Sequence, residues 1–303
     1  MYIAVVDIGG TMIKSGIFNG TALTDIREFP TQAHGGRDIL MGQVKDILHS
    51  YISGYKQGCQ VEAIGISTAG QVDFNGGSII YANENISGYT GTKVRQILEE
   101  EFQIPVAVEN DVNAAALGEL HFGAGKGFQD LLCLTYGTGV GGAIVLEGEL
   151  YRGSSASAGE FGAMVLHPED RTVGDPFSGC YERYASVTAL VRRASAVDRL
   201  VNNGKKVFAR LNDPVFKAII DAWIDEIVFG LISLIHIFNP PCVILGGGIM
   251  EQDYVLHTLE ASLRSQIMES FGNVVIRKAE LKNWAGMTGA ALLAEQAAKG
   301  HGE

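Results

Sequence analysis

Positive charge is scarce in this chain. Its 23 Lys and Arg residues stand against 34 Asp and Glu, a formal net charge of −11 over 303 residues. Nucleic-acid binding needs a basic footprint, so this balance argues against a polyanionic partner of that kind. A bound triphosphate would have to be held by local amides, a metal ion and a few cations, since the global field repels it. Cysteine is equally sparse: Cys59, Cys133, Cys180 and Cys242 form no C-x-x-C pair. Cys133 and Cys242 fall in apolar runs, where a buried reduced thiol is expected, so a reducing, cytoplasmic setting fits. Long apolar runs are missing as well. The longest, 227–238, falls short of the roughly 20 residues needed to span a bilayer. Asp7 and Gly9-Gly10 interrupt the N-terminal apolar stretch, so neither a signal peptide nor a membrane partner is expected.

Apolar residues make up 47% and charged residues 19%, the balance of a globular chain. The length suits two domains with substantial cores. Two glycine-rich turns stand out. Asp7-Ile8-Gly9-Gly10-Thr11 joins the run Ile3–Val6 to a second run, Ile13–Phe18. Tyr136-Gly137-Thr138-Gly139-Val140-Gly141-Gly142 joins Leu131–Thr135 to Ala143–Leu146. Glycines permit positive φ and let successive N–H groups turn inward into an anion-binding concavity. Taken singly, such a turn is more often a plain hairpin. A pair of them suggests a phosphate chain held from both sides.

Asn19-Gly20 and Glu147-Gly148-Glu149 follow the two return strands, so each half starts alike, with strand, turn, strand, turn, strand. That pattern indicates a duplicated α/β fold. Residues 39–55 have helical spacing, 61–67 read as a buried strand ending in Thr68-Ala69-Gly70, 93–102 as a helix and 105–108 as a strand. A further helix opens at 114–117, and residues 151–182 lack periodicity. Residues 221–238 are apolar nearly all round, as in a buried or dimer-facing helix, and Asn239-Pro240-Pro241 stops them. The strand 242–245 then runs into Gly246-Gly247-Gly248 and a helix, and a small-residue helix spans 287–299.

Asp7 weights the first turn toward function. A carboxylate ending a buried strand is costly unless it meets a metal ion, water or donors. At that point it can hold Mg²⁺ through water near phosphate oxygens, with Thr11 and Lys14 adding a hydroxyl and a cation. Lys14 reads equally well as a solvated strand residue. A dinucleotide site would need the glycine turn to open a helix, whereas β-type sequence follows both loops. The second signal is Glu109-Asn110-Asp111-Val112-Asn113, at a strand-to-helix junction where α/β sheets gather ligands. A helix cap needs one polar side chain; four are present. Asp111 is placed to accept a substrate hydroxyl's proton while Glu109 and Asn110 hold neighbouring groups. Glu160 and Glu182, flanked by glycines, are either surface charges or carboxylates aimed into a cleft.

In this order, the motifs Asp7-Ile-Gly-Gly-Thr11, Glu109 to Glu119, Gly137 to Gly142, Gly159-Glu-Phe-Gly162, Gly179-Cys-Tyr-Glu182 and Gly246 to Gly248 resemble the ROK family of sugar kinases and sugar-responsive repressors, within the actin-like/hexokinase superfamily. The resemblance implies a duplicated actin-like ATPase (ribonuclease H-like) fold, two α/β domains with mixed sheets around a central cleft for ATP and a sugar, usually in a homodimer. Residues 1–112 and 286–303 would form the smaller domain and 113–285 the larger. On the same grounds Asp111 matches the catalytic base. Asn110, Glu160 and Glu182, with Gly70 and Asn85, match positions that bind sugar hydroxyls. Asp7 matches the metal-associated Asp. Gly9, Gly10 and Thr11, with Gly137, Thr138 and Gly139, match phosphate loops, and Gly246, Gly247 and Gly248 the adenosine side.

Three departures bear on substrate. Met12 stands where many members carry Lys, and Lys14 lies on the same strand face. The zinc-binding His position is Ala163, and its cysteine positions are Val173, Asp175 and Cys180; one thiol cannot hold zinc, so no structural zinc is expected. Loss of the His leaves room at the sugar's anomeric end, so the expected acceptor is a β-glucoside or a free hexose such as glucose, with N-acetylmannosamine as an alternative. A sugar-sensing repressor would need a DNA-binding segment before the strand at Ile3. A non-catalytic sugar binder is the remaining rival, which intact Asp7, Asp111 and both loops oppose.

Overall fold

A computed structural model describes residues 1–53, 60–82 and 86–300. Along the chain run β1 (Tyr2–Ile8), β2 (Met12–Phe18), β3 (Leu23–Pro30), α1 (Gly36–Ile52), β4 (Val61–Thr68), β5 (Gln71–Asp73), β6 (Ser78–Tyr81), α2 (Val94–Phe102), β7 (Val106–Asn110) and α3 (Asp111–Phe122). There follow β8 (Leu131–Tyr136), β9 (Val140–Leu146), β10 (Glu149–Leu150), α4 (Glu182–Ala185), α5 (Val187–Val197), α6 (Gly204–Phe208) and α7 (Pro214–Phe238). The last elements are β11 (Cys242–Gly246), α8 (Asp253–Gln266), β12 (Val275–Lys278) and α9 (Ala285–Gly300). The chain divides into two compact units. The first holds Met1–Lys126, Leu150–Ala158 and Asn283–Glu303; the second holds Gly127–Glu149 and Gly159–Lys282.

The two units repeat one sheet design. In the first, strands lie in the order β3-β2-β1-β4-β7; in the second, β10-β9-β8-β11-β12. Each opens with an antiparallel hairpin across a glycine turn, β1 with β2 and β8 with β9. Each then adds parallel strands, β4 and β7 in one and β11 and β12 in the other. The duplicated start read from the glycine turns is therefore a duplicated mixed sheet. β4 and β11 are buried almost end to end because parallel strands are covered on both faces.

In the first unit α1 packs Leu40, Val44, Leu48 and Tyr51 into a core with Val6, Ile17, Ile64 and Ile66. The small-residue helix α9 comes unusually close to its neighbours. A Cβ on Gly289 would stand 1.7 Å from the Ala114 carbonyl, one on Gly118 2.4 Å from the Ala285 carbonyl, and one on Gly65 2.5 Å from the Ala290 carbonyl. Glycine at these places is what lets α3, α9 and β4 touch backbone to backbone. This contact corrects the expected boundary at residue 112. α3 belongs to the first unit, which is no smaller than the second.

In the second unit α7 starts seven residues before the apolar run, where Asp213 caps it and Pro214 takes the first helical position. It buries Phe216, Ile220, Trp223, Ile227 and Leu231, while Phe229 and Ile237 stay exposed. The Trp223 indole donates to the carbonyls of Ala185 and Ser186 at 2.9 and 3.0 Å. No helix among the described residues is long and apolar enough to cross a membrane.

Candidate active site

Parallel pairing brings chemistry to one edge of the first sheet. β1, β4 and β7 run the same way, and their register sets Asp7 beside Ser67 and Ser67 beside Glu109. Three polar residues thus line up at the carboxyl ends of adjacent strands, the place where such sheets bind ligands. Ser67 Oγ donates to Asp7 Oδ1 at 2.7 Å. Across the hairpin, Lys14 faces Asp7, and its Nζ lies 3.4 Å from Asp7 Oδ2. Gly286, in the first turn of α9, lacks a side chain where a Cβ would meet Ser67 Oγ at 2.7 Å. The start of α9 therefore abuts Asp7, and a helix N-terminus favours a carboxylate there.

The turn after β1 is tight. Gly9 N donates to the Met12 carbonyl at 3.1 Å, and the Thr31 hydroxyl donates to the Gly9 carbonyl at 2.7 Å. Gly10 and Thr11 at its tip are exposed.

β7 passes directly into α3, with Asn110 as N-cap and Asp111 as first helical residue. The Asn110 side chain accepts from Val112 N and Asn113 N at 2.9 and 3.1 Å. Its amide donates to the Gly70 carbonyl and to Asp111 Oδ1, both at 2.9 Å. Gly70 sits at φ +101°, its missing Cβ 2.7 Å from the Tyr81 carbonyl, so only glycine presents that carbonyl to Asn110. The expected sugar contact through Asn110 needs correction, because all four of its hydrogen-bonding positions already serve the protein. It holds Asp111.

Glu109 is a second correction. It is 1% exposed and points inward. Oε1 accepts from Asn110 N at 2.9 Å and from Asn113 Nδ2 at 3.0 Å, while Oε2 accepts from both Nε and Nη2 of Arg152 at 2.8 Å. A carboxylate so enclosed braces the junction and has nothing left for a ligand.

Asp111 has a different environment. Burial, and after it the nearby Asp7 carboxylate, push its carboxyl from 3.8 up to about 7; hydrogen bonds from Val112 and Asn110 offset only part of this. A group with that acidity changes charge near neutral pH, as a proton acceptor must.

In the second unit, the turn 137–139 closes on itself through Gly137 N and the Gly139 carbonyl, 3.0 Å apart. Its outer side meets the start of α5, where Val187 N donates to the Gly137 carbonyl and the Thr188 hydroxyl to the Thr138 carbonyl. Glu182, first residue of α4, lies against the turn: its carboxylate stands 2.6 Å from where a Cβ on Gly139 would be. A phosphate would avoid that side of the turn. Glu160 is exposed and precedes a tight turn in which its carbonyl accepts from Ala163 N at 3.1 Å. Ala163 is exposed too. Gly246 ends β11, and Gly247 takes φ +101° against the Tyr136 carbonyl, 2.1 Å from a would-be Cβ, leaving Gly247 and Gly248 open to solvent. Asn85 lies outside the described residues.

The irregular stretch 151–182 holds an ion-pair network. His167 meets Glu226 at 2.8 Å and Glu169 at 3.1 Å, and its ring stacks on Tyr184 at 3.8 Å. Arg193 completes it at 3.0 Å from Glu226.

The family model for "ROK family" matches residues 3–297. The chain belongs to the ROK family. This ROK protein is 40% identical to an uncharacterized protein of Clostridium perfringens, across 95% of both chains. It is 33% identical to a beta-glucoside kinase of Listeria monocytogenes, across 96% of both. Among solved structures, a ROK family glucokinase from Streptomyces griseus in complex with glucose and AMPPNP superposes with a TM-score of 0.82 at 32% identity, covering 98% of this chain and 100% of that one. The mixed-sheet architecture is accordingly the actin-like ATPase fold of these sugar kinases.

Proposed function

We propose that this ROK protein is an ATP-dependent sugar kinase that transfers the γ-phosphoryl group of ATP to a hexose-type hydroxyl, the 6-hydroxyl, with Asp111 taking the hydroxyl's proton. The observation that carries the proposal is the state of Asp111. Its carboxyl is pinned by Asn110 and Val112 at 2.9 Å and raised to about 7 beside Asp7. The kinase names of the relatives and the glucose and AMPPNP complex of one of them support it.

Phosphoryl transfer passes through a loose transition state, so positioning and neutralisation supply most of the catalysis. In this reading the amides of Gly10 and Thr11 and of Thr138 and Gly139 are the phosphate donors, Gly9 and Gly137 shape the turns through their own bonds to the Met12 and Gly139 carbonyls, and Lys14 adds a cation. Gly246, Gly247 and Gly248 border the adenosine. On the family resemblance, Glu160, Glu182 and Gly70, with Asn85 outside the described residues, are the positions assigned to the sugar. Asp7 and Asp111 form an all-oxygen set whose mutual repulsion a hard cation relieves, so the residues fit Mg²⁺ held by Asp7 through water. The chemistry Mg²⁺ supplies when bound is neutralisation of phosphate oxygens. Asp111 orients the acceptor hydroxyl and receives its proton as the new bond forms.

For the acceptor, the exposed Ala163 supports a β-glucoside alongside glucose. A cytoplasmic homodimer completes the proposal, on the family resemblance. The test is ADP release with Mg²⁺ and ATP across monosaccharides and β-linked disaccharides. Turnover with at least one is expected, and silence across the panel sinks the kinase reading. Free glucose far outpacing every β-glucoside sinks the role of Ala163.

A further inference from the structure

Arg152 stands out among side chains to which the proposed reaction gives no part. It lies in Leu150–Ala158, the stretch by which the chain returns to the first unit between two passages of the second. Its guanidinium forks onto one oxygen of buried Glu109 through Nε and Nη2, each at 2.8 Å, and its carbon stacks 4.0 Å over the Phe74 ring. The other oxygen of Glu109 receives Asn110 N and Asn113 Nδ2. Asn110 in turn caps α3 and donates to Asp111 Oδ1. One unbroken series of hydrogen bonds leads from Arg152 to the carboxylate proposed to take the proton.

We infer that Arg152 is a positioning residue for Asp111, acting through Glu109 and the Asn110 cap, an inference that rests on the kinase reading. A carboxylate 1% exposed is costly to keep in place without a cation and donors around it. Deprived of Arg152, the Glu109 carboxylate loses the partner that holds Oε2 and swings toward water. That movement removes the acceptor from Asn110 N and Asn113 Nδ2 and frees the strand-to-helix junction. Asp111 then loses its fixed aim although nothing touching the reactants has changed. Arginine suits the task because its planar fork holds one oxygen from two donors and lies flat on an aromatic ring; lysine does neither.

The experiment compares Arg152→Met with the double variant Glu109→Gln/Arg152→Met, which removes both charges yet keeps an acceptor oxygen toward Asn110 and Asn113. Kinetics with ATP and the sugar found by the screen are read beside amide hydrogen exchange of Val112 and Asn113. Arg152→Met is expected to lower kcat about 10-fold or more with the KM for ATP within about twofold, and the double to recover at least about a third of wild-type kcat. Exchange should speed in the single variant and slow again in the double. Wild-type kcat and exchange in Arg152→Met overturn the inference. So does a loss confined to the sugar KM, which makes Arg152 a ligand instead. If Arg152→Met does not fold, a folded double with kcat under about a tenth of wild type overturns it as well. Exchange needs no turnover, so it still decides the matter if the wild-type protein phosphorylates no sugar.

Discussion

Replacing Asp111 by Asn should make the protein more stable and almost inactive at once. The Asn side chain has the same shape, and its oxygen keeps the bonds now made by Asp111 Oδ1 to Asn110 and Val112, both 2.9 Å. What disappears is the charge. The carboxyl is raised from 3.8 to about 7, so the folded state holds its proton about three pH units longer than the unfolded chain. For a carboxyl raised in this way, stability falls as pH climbs from about 4 to about 7 and stays low above that. At about 1.4 kcal/mol per unit, the ionised group costs about 4 kcal/mol at pH 8 and about 1 kcal/mol at pH 4.5. Relative to wild type, the variant should therefore gain about 3 kcal/mol more at pH 8 than at pH 4.5. Thermal melting of the ligand-free, Mg²⁺-free protein at the two pH values reads this directly, as a gap of several degrees. The same preparation, assayed with ATP, Mg²⁺ and sugar, should show kcat lowered at least about 100-fold with a modest change in KM. A melting difference that does not vary with pH would refute the buried, repelled carboxylate. Wild-type turnover would remove Asp111 from the mechanism.

Three further outcomes are expected. Lys14→Met should raise the KM for ATP about 10-fold, since it deletes the cation 3.4 Å from Asp7; an unchanged KM assigns Lys14 to the sheet alone. Gly289→Ala should cost about 3 kcal/mol or more, because its Cβ falls 1.7 Å from the Ala114 carbonyl and backbone must move; an unaltered melting temperature contradicts that seam. His167→Asn should cost most at pH 5.5 and least at pH 9. Burial disfavours the charged imidazole, but Glu226 and Glu169 outweigh it and hold the pKa above 6.5. The paired imidazolium therefore stabilises fully below 6.5 and fades as pH rises through the raised value; a flat profile of melting against pH refutes the pairing.

Much of the architecture was legible because it is written in local chemistry. Twin glycine turns between apolar runs specify hairpins, and their recurrence specifies the duplication. The stop at Asn239-Pro240-Pro241 ends α7 where expected, whereas its start was hidden because residues 214–220 continue the helix after an Asp213 cap. The cluster from Glu109 to Asn113 shows where polarity concentrates but not which way each side chain faces. Glu109 is enclosed because its strand is buried along nearly its whole length, and the helix start converts Asn110 into a cap. Only Asp111 keeps a function beyond the scaffold in the proposed reading. Arg152 gave no signal at all. It is one basic residue in an aperiodic stretch, and its partner lies 43 positions away. The β5–β6 hairpin, too short for a clear pattern, also escaped notice, though its Tyr81 carbonyl is what demands glycine at 70.

The backbone-to-backbone seam of α3 with α9 carries a consequence for biosynthesis. α3 ends at Phe122, yet its partner begins only at Ala285. A ribosome therefore delivers every strand of the N-terminal sheet long before the helix that covers it, while the middle of the chain emerges with its own sheet complete. Vectorial synthesis ordinarily lets the leading unit finish first. Here the order inverts: the part made earliest must wait, partly uncovered, for the part made last.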